Sequence, residues 1–252
     1  MKISKIFLYD EPSVPQIKIK DLAEFIWKQS RIETEVRQNF FQHFNIKERI
    51  PYQLASCRIF NPYVPFERHN PTVEEIAFEE KEAANNIVLY DGFELQNIFR
   101  NAIHDSELSS DNFHLIFTTR LTCSYDYDDY RYHGRAVICS NPSIISTTGI
   151  IEAPAKPREY YLQLHEKMSQ GLNLDAIKHE FKGRFLEYND ERIHVVVRGY
   201  ALQAIFYYLT GTTFCESKEC ILHNAHWQEE LLHAQIEVGK LCKRHQTILD
   251  NL

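Results

Sequence analysis

The sequence predicts an α/β (α+β) protein with a mixed twisted sheet, flanking helices, a central buried helix and a metal-held C-terminal helical segment. Strand and helix patterns alternate from the N-terminus, a nearly all-apolar stretch covers residues 194–209, and cysteines follow it. Strand–helix–strand order indicates a sheet that starts parallel. A helix that is apolar all round is buried on most sides.

The first half of the chain supplies the predicted sheet. A strand over residues 3–9 leads into a helix over 21–29, which Asp21 can cap, and a second strand lies within 31–41. Helices follow over 48–60, 72–84 and 93–104, and strands over 87–90, 114–123, 132–140 and 143–152. Asn141 and Pro142 form a turn that indicates an antiparallel pair.

The second half is predicted to be helical. Residues 153–157 (Ala-Pro-Ala-Lys-Pro) introduce a helix through 168, and another covers 174–181. Gly211 stands where the buried helix should stop, and an amphipathic helix is expected over 227–241. We expect a single domain over 1–252, with a sheet-bearing part (1–152), a helical connection (153–193) and a C-terminal part (194–252).

Composition narrows the class of protein. Hydrophobic residues make up 44% and charged residues 25%, as in soluble globular proteins. The net charge of −7 argues against nucleic acid as a partner. No apolar run approaches the roughly 20 residues of a membrane helix. The N-terminal apolar run is too short for a signal peptide. The six cysteines are too sparse for a secreted disulfide scaffold, so we expect a cytoplasmic protein.

Four residues after the buried helix have the spacing of a zinc site. Cys215 and Cys220 follow the helix, and Cys242 and His245 lie at the end of the last predicted helix. Three thiolates and one imidazole suit tetrahedral zinc, and four protein ligands leave no open position. We therefore expect one structural zinc per chain that joins the two helix ends.

The spacing leaves two alternatives open. Cys215 and Cys220 could form a disulfide, or the three thiols could be unconnected and buried. The remaining cysteines, Cys57, Cys123 and Cys139, lie within or beside apolar segments and are expected to be small core residues.

The segment from Gly211 to His245 resembles the archaemetzincins, a group of metzincin-type zinc peptidases. Their motif is His-Glu-x-x-His-x-x-Gly-x-x-His-Cys, then x4-Cys-x-Met, then a downstream Cys-x-x-Cys whose cysteines bind a second, structural zinc. Cys215, Cys220, Cys242 and His245 resemble that second site, with His245 in place of the last cysteine. The resemblance implies a metzincin-like fold.

The catalytic positions of the motif differ in this sequence. The three imidazole positions hold Ala204, Tyr208 and Phe214, the general-base position holds Ile205, and the Met position holds Leu222. A water-activating zinc needs three protein ligands, an open position and a base, which these residues cannot supply. The resemblance is closest to an archaeal family described only as candidate metallopeptidases. Its landmarks here are residues 8–13, 131–135, 152–157 and 224–230.

We therefore expect an archaemetzincin-related pseudo-peptidase that keeps a structural zinc and acts as a binding or scaffold protein. Its partner would be a protein or peptide, which could add a strand beside residues 132–140. The alternative is a zinc metallopeptidase with relocated ligands. His226, Glu230 and His233, spaced four and three residues apart, could share one helix face. The simpler interpretation is an ordinary solvent-exposed helix that Asn224 caps.

A further candidate surface is the acidic, aromatic run over residues 124–133. It could bind a partner, although a solvated loop is the simpler interpretation. Alternation along the next strand would place Arg131, His133 and Arg135 on one face, as an anion site or as a solvated strand face.

Overall fold

The computed structural model describes residues 2–46, 48, 50–80 and 87–251. Its strands are β1 (Lys5–Tyr9), β2 (Glu33–Arg37), β3 (Leu89–Asp91), β4 (Asn112–Thr118), β5 (Leu121–Asp126), β6 (Arg131–Arg135), β7 (Val137–Ile138) and β8 (Ser143–Ser146). Its first helices are α1 (Ile19–Ser30), α2 (Phe40–His43), α3 (Ile50–Ser56), α4 (Val73–Glu80), α5 (Gly92–Ala102) and α6 (Thr147–Glu152). The later helices are α7 (Arg158–Ser169), α8 (Asp175–Glu180), α9 (Ile193–Thr210), α10 (Gln228–Leu232), a π-helix (His233–Val238) and α11 (Lys243–Asp250).

The larger sheet of the described residues has the strand order β2-β1-β4-β8-β7. Its first four strands are parallel, and β7 is antiparallel to β8 at one edge. Successive strand residues point to opposite faces. Ile6 and Leu8 therefore enter the core that includes α1 and α9, while Phe7 and Tyr9 enter the core that includes α5. The predicted α/β class and parallel start are confirmed.

A smaller sheet has the order β3-β5-β6, with β3 parallel and β6 antiparallel to β5. The single strand predicted over residues 114–123 was wrong, because β4 and β5 belong to different sheets. The chain turns between them at Arg120, whose N–H is bonded to the Thr118 hydroxyl at 3.3 Å. The strand predicted over 132–140 is likewise divided between β6 and β7.

Side-chain caps explain where other predicted elements end. The strand predicted over 143–152 stops at Ser146, whose hydroxyl accepts from Gly149 N at 2.8 Å and begins α6. The second strand gives way to α2, which Asn39 caps. The Asn141–Pro142 turn is confirmed and contains a cis peptide bond.

Two helices in the first half differ in length from the prediction. The helix predicted over 48–60 covers only Ile50–Ser56. Helix α4 begins as predicted, with reciprocal bonds between Thr72 and Glu75 that form a capping box. Residues 81–84 of that predicted helix lie outside the described residues.

Helix α9 is the buried helix that the sequence predicts. Its side chains pack into two cores: Val196, Val197 and Ala201 enter the large one, and Leu202 and Phe206 enter a smaller one near the C-terminus. The helix ends at Gly211, which has φ +76° and donates its N–H to Tyr207 O at 2.7 Å. None of the helices in the described part of the chain combines the length and the apolar character that a bilayer crossing requires.

The C-terminal helices differ from the single helix predicted over 227–241. Helix α10 continues as the π-helix and stops at Gly239, which has a φ of +57°. Gln235 of the π-helix lies against Gly199 of α9, where an added Cβ would be 2.4 Å from Gln235 Oε1. Helix α11 was not predicted.

We predict that Gly149→Ala destabilises the fold by about 1–3 kcal/mol, because overpacking forces the backbone to move. The new Cβ would be 2.2 Å from the backbone oxygen of Arg135. Thermal unfolding should show a Tm about 2–4 °C lower per kcal/mol. Gly134→Ala is the control, since its Cβ would meet atoms at an ordinary 3.5 Å; equal effects of the two substitutions would contradict the prediction.

Candidate metal centre

The first two cysteines lie in a loop that the end of α9 positions. The loop folds back, so that Cys215 N donates to Leu222 O at 2.9 Å and His223 N donates to Cys220 O at 2.9 Å. Cys220 and Leu222 are fully buried against α9. The backbone of this loop therefore fixes where both thiols point.

The second pair of candidate ligands, Cys242 and His245, lies at the start of α11. Cys242 occupies the N-cap position with extended backbone, and His245 is in the first turn of the helix. This Cys-x-x-His spacing places Cys242 Sγ 3.0 Å from His245 Nδ1. The pair is joined to the first loop because Cys242 N donates to Cys220 Sγ at 3.4 Å, and because Ile221 N donates to Lys240 O at 2.9 Å.

The four donor atoms form one cluster. The Sγ atoms of Cys215, Cys220 and Cys242 and a ring nitrogen of His245 all lie within 4.8 Å of one another. His245 Nδ1 is 3.8 Å from Cys220 Sγ. In tetrahedral zinc the donors are about 3.5–3.8 Å apart, given bonds of about 2.3 Å to sulfur and 2.0 Å to nitrogen. The donor set fits a zinc ion with four protein ligands. The distance from Cys220 Sγ to His245 Nδ1 is close to the tetrahedral spacing, whereas the 3.0 Å from Cys242 Sγ to His245 Nδ1 is shorter.

Burial and local hydrogen bonds shift the pKa of Cys220, Cys242 and His245. Burial raises the pKa of the Cys220 thiol to about 12. Burial alone would raise the pKa of Cys242. Hydrogen bonds from the backbone N–H of His245 and from the neighbouring thiols lower this pKa by a larger amount, so it lies below its usual value. Burial, helped by Arg244, lowers the pKa of His245. A neutral imidazole is the form that binds metal, whereas Cys220 needs a cation to become a thiolate.

The free cysteines distinguish the alternatives that the sequence left open. All six are free thiols, so the structure contains no Cys215–Cys220 disulfide. Cys57 and Cys123 are buried in apolar cores, as predicted. Cys139 is half-buried, and Thr213 donates its hydroxyl to the Cys139 sulfur at 3.8 Å. Burial raises the pKa of Cys123 to about 12 and that of Cys139 to about 11.

The positions that resemble a catalytic motif are occupied by apolar or aromatic residues. Ala204 and Ile205 are fully buried in the large core. Tyr208 packs against Phe113 and donates its hydroxyl to Ser110 O at 2.6 Å. Phe214 is 43% exposed. No imidazole or carboxylate stands at any of these four positions.

The structure does not bring His226, Glu230 and His233 together as a metal-binding group. Glu230 accepts hydrogen bonds from His226 N at 3.1 Å and from Lys218 Nζ at 2.9 Å. The ring of His233 lies between the carboxylates of Glu237 (2.7 Å) and Glu219 (2.9 Å). The ring of His226 lies instead beside Asn224, with Nε2 3.5 Å from Asn224 Nδ2, so the three side chains have different partners.

A second possible metal cluster lies on the exposed β5–β6 hairpin. Asp126, Asp129 and His133 have ligand atoms within 4.8 Å. Asp129 already pairs with His133 at 2.8 Å and with Arg131 at 2.7 Å. Arg135, predicted to lie on the same strand face, donates instead to Ser124 Oγ at 2.7 Å. The acidic run in the sequence was the signal for this cluster.

Sequence reasoning missed a buried ion-pair cluster centred on Glu79. Its carboxylate accepts from Arg58 Nε at 2.8 Å, from Tyr90 Oη at 2.7 Å and from Arg120 Nη2 at 2.9 Å. These residues come from α4 and from separate strands or loops. The sequence signal was weak, since each is a single polar residue beside apolar neighbours.

The fold and these sites define a mixed α/β protein with a three-cysteine, one-histidine candidate metal centre. Residues 2–252 match the family described as "Probable metallopeptidase family (DUF6775)". The chain belongs to this family, which confirms the assignment to candidate metallopeptidases made from the sequence.

Two solved structures are similar to the chain at 10% identity. One is archaemetzincin from Methanopyrus kandleri, with a TM-score of 0.48 over 99% of this chain and 94% of that one. The other is a zinc-dependent peptidase from Methanocorpusculum labreanum (strain Z), with a TM-score of 0.45 over 97% and 99%. No curated protein sequence matches the chain.

We predict that protein purified under reducing conditions contains about one zinc per chain and that Cys220→Ser abolishes it. Elemental analysis measures the metal. The substitution should also lower the Tm by several degrees, because the link between α9 and α11 is lost. The control is Cys57→Ser, which alters an equally buried thiol outside the cluster and should leave the zinc content unchanged. Zinc retained in Cys220→Ser would contradict the prediction.

Proposed function

We propose that the chain is a non-catalytic member of its metallopeptidase family that binds one structural zinc and acts by binding a protein or peptide. The observation that carries this proposal is the contrast between two regions of the same segment. Four zinc-type donors cluster after α9, whereas apolar or aromatic residues occupy the catalytic-like positions on and after that helix.

The donor set supports a structural and not a catalytic zinc. Four protein ligands fill a tetrahedral shell, so that no position is left for water or substrate. Cys220 and His245 are both buried, which limits access to the ion. The zinc would join the loop after α9 to the N-terminus of α11. Its binding energy would then contribute directly to the stability of this end of the fold.

The packing of α9 supports the loss of catalysis. Zinc hydrolases need three protein ligands, an open position and a base beside the bound water. Ala204 and Ile205 are fully buried, so neither faces a site where substrate could enter. Tyr208 is held by its bond to Ser110 O. A catalytic centre in this region would require a different set of ligands.

The partner in this proposal binds through the edge of the larger sheet. Strand β7 is the last strand of that sheet and pairs with β8. An extended peptide can add to such an edge through main-chain hydrogen bonds. Strand β6 is less suitable, because Tyr132 N already donates to Pro62 O at 2.7 Å. The free thiols are consistent with the expected cytoplasmic location.

We predict that the zinc-loaded protein shows no zinc-dependent hydrolysis of a fluorogenic peptide library. The alternative, a metallopeptidase with relocated ligands, is tested by His226→Ala and His233→Ala. Neither substitution should change zinc content or peptide turnover. Lys240→Ala is the control for altering an exposed side chain near the C-terminus.

Two results would contradict this proposal. Peptide turnover that chelators remove, that persists in Cys220→Ser and that disappears in His226→Ala would identify a second, catalytic zinc. Turnover that survives both histidine substitutions but requires added zinc would also contradict the loss of catalysis.

A further inference from the structure

A cavity of about 910 Å³ lies at the carboxyl ends of the parallel strands. Ser13 follows β1, Asn39 follows β2, Arg120 follows β4 and Thr147 follows β8, and all four line the cavity. In open α/β sheets, ligands characteristically bind outside this edge of the strands. The volume is within the range of small-molecule sites.

The cavity is separate from the candidate metal centre. Ile193, the first residue of α9, lines it, whereas Gly211 leads from the other end of the helix to Cys215. Eighteen helical residues span about 27 Å at 1.5 Å per residue. A ligand here would therefore be remote from the zinc.

Apolar side chains form much of the cavity wall. Phe41, Leu54, Ile151 and Ile193 are among the lining residues, and Leu54 and Ile193 are almost completely buried. Such walls favour a ligand with an apolar body, while a few polar groups set its orientation.

The guanidinium of Arg120 is a largely buried, positively charged group in this wall. Glu79 accepts from Arg120 Nε at 3.1 Å and from Nη2 at 2.9 Å, and Nη1 takes no part in these bonds. The Arg120 side chain is 12% exposed and that of Glu79 is 1% exposed. The guanidinium is thus fixed in the wall before any ligand binds, which limits the ordering cost of binding.

The cluster around Glu79 contains more positive than negative charge. Arg58 and Arg120 are both paired with this one carboxylate, and Tyr90 donates a further hydrogen bond to it. A buried charge that is not neutralised is costly. A ligand carboxylate beside Arg120 would supply the second negative charge.

Carboxylates at the edge of the cavity limit the charge of the ligand. Glu48 and Glu80 line it and are exposed, and Glu11 is half-buried. They would repel a ligand that carries several negative charges, whereas one buried carboxylate is compensated by Arg120. We propose that this cavity binds an organic monocarboxylate with an apolar body and that Arg120 pairs with its carboxylate.

Three probes with the same apolar body test this proposal: 4-phenylbutyrate, 4-phenylbutanamide and 4-phenylbutylamine. Isothermal titration of the full, zinc-loaded chain measures each Kd. We expect 4-phenylbutyrate to bind at least about tenfold more tightly than the amide and the amine, a preference equivalent to about 1.4 kcal/mol. Equal affinities for the three, or tightest binding of the amine, would overturn the proposal.

Two variants locate the binding site. Arg120→Met should reduce the carboxylate preference to within about twofold, and Glu79 would still be paired with Arg58 and Tyr90. Ser13→Trp, at an exposed lining position, should weaken all three probes by obstructing the cavity. Ser169→Trp, at an exposed position on α7, should leave the Kd of all three probes unchanged. An undiminished preference in Arg120→Met would overturn the proposal.

If Arg120→Met does not fold, two measurements still test the proposal: the preference of wild-type protein for 4-phenylbutyrate, and the effect of Ser13→Trp on binding. Failure of 4-phenylbutyrate to bind wild-type protein overturns this proposal and leaves the zinc centre and the loss of catalysis unaffected, since those depend on the other end of α9.

Discussion

The burial of helix α9 on nearly all sides is the constraint on which the rest of the structure depends. The helix connects the large core beneath the sheet with a smaller C-terminal core. Burying one large apolar side chain stabilises a fold by about 1.5–3 kcal/mol. A polar catalytic group at Ala204 or Ile205 would therefore have to be buried and compensated, or the helix would have to face an open cleft. The residues at these positions serve the core instead, and this explains why the candidate chemistry is found at the two ends of the helix.

The two ends of α9 are stabilised in different ways. Its N-terminal half packs under the sheet, where many apolar side chains converge. Its C-terminal half divides its side chains between the large core and a small cluster that contains Leu202 and Phe206. The last helix, α11, has only eight residues. Helices of this length are not stable alone. The proposed zinc joins Cys220, buried beside α9, to His245 in the first turn of α11. The proposed metal link would thus lie at an end of the fold where the apolar cluster is small.

Much of this end of the molecule could be predicted because its signals are local. The two donor pairs are each close in sequence, and the structure brings them together. Helix α11 was missed because its sequence is mostly polar, with Leu249 as its deeply buried apolar residue. The division of residues 114–123 into two strands was missed because apolar residues flank the turn on both sides. The cluster of Glu79 and Arg120 joins residues 41 positions apart, and no local pattern reports such a contact.

Zinc X-ray absorption spectroscopy tests the central claim most directly, since it reports the ligands of the bound ion. For the zinc-loaded protein the account predicts a first shell of three sulfur atoms at about 2.3 Å and one nitrogen at about 2.0 Å, with no bound water. Cys242→Ser should replace one sulfur scatterer with a lighter atom. A first shell made mainly of nitrogen and oxygen, with an exchangeable water, would contradict a structural centre and would instead indicate a catalytic zinc.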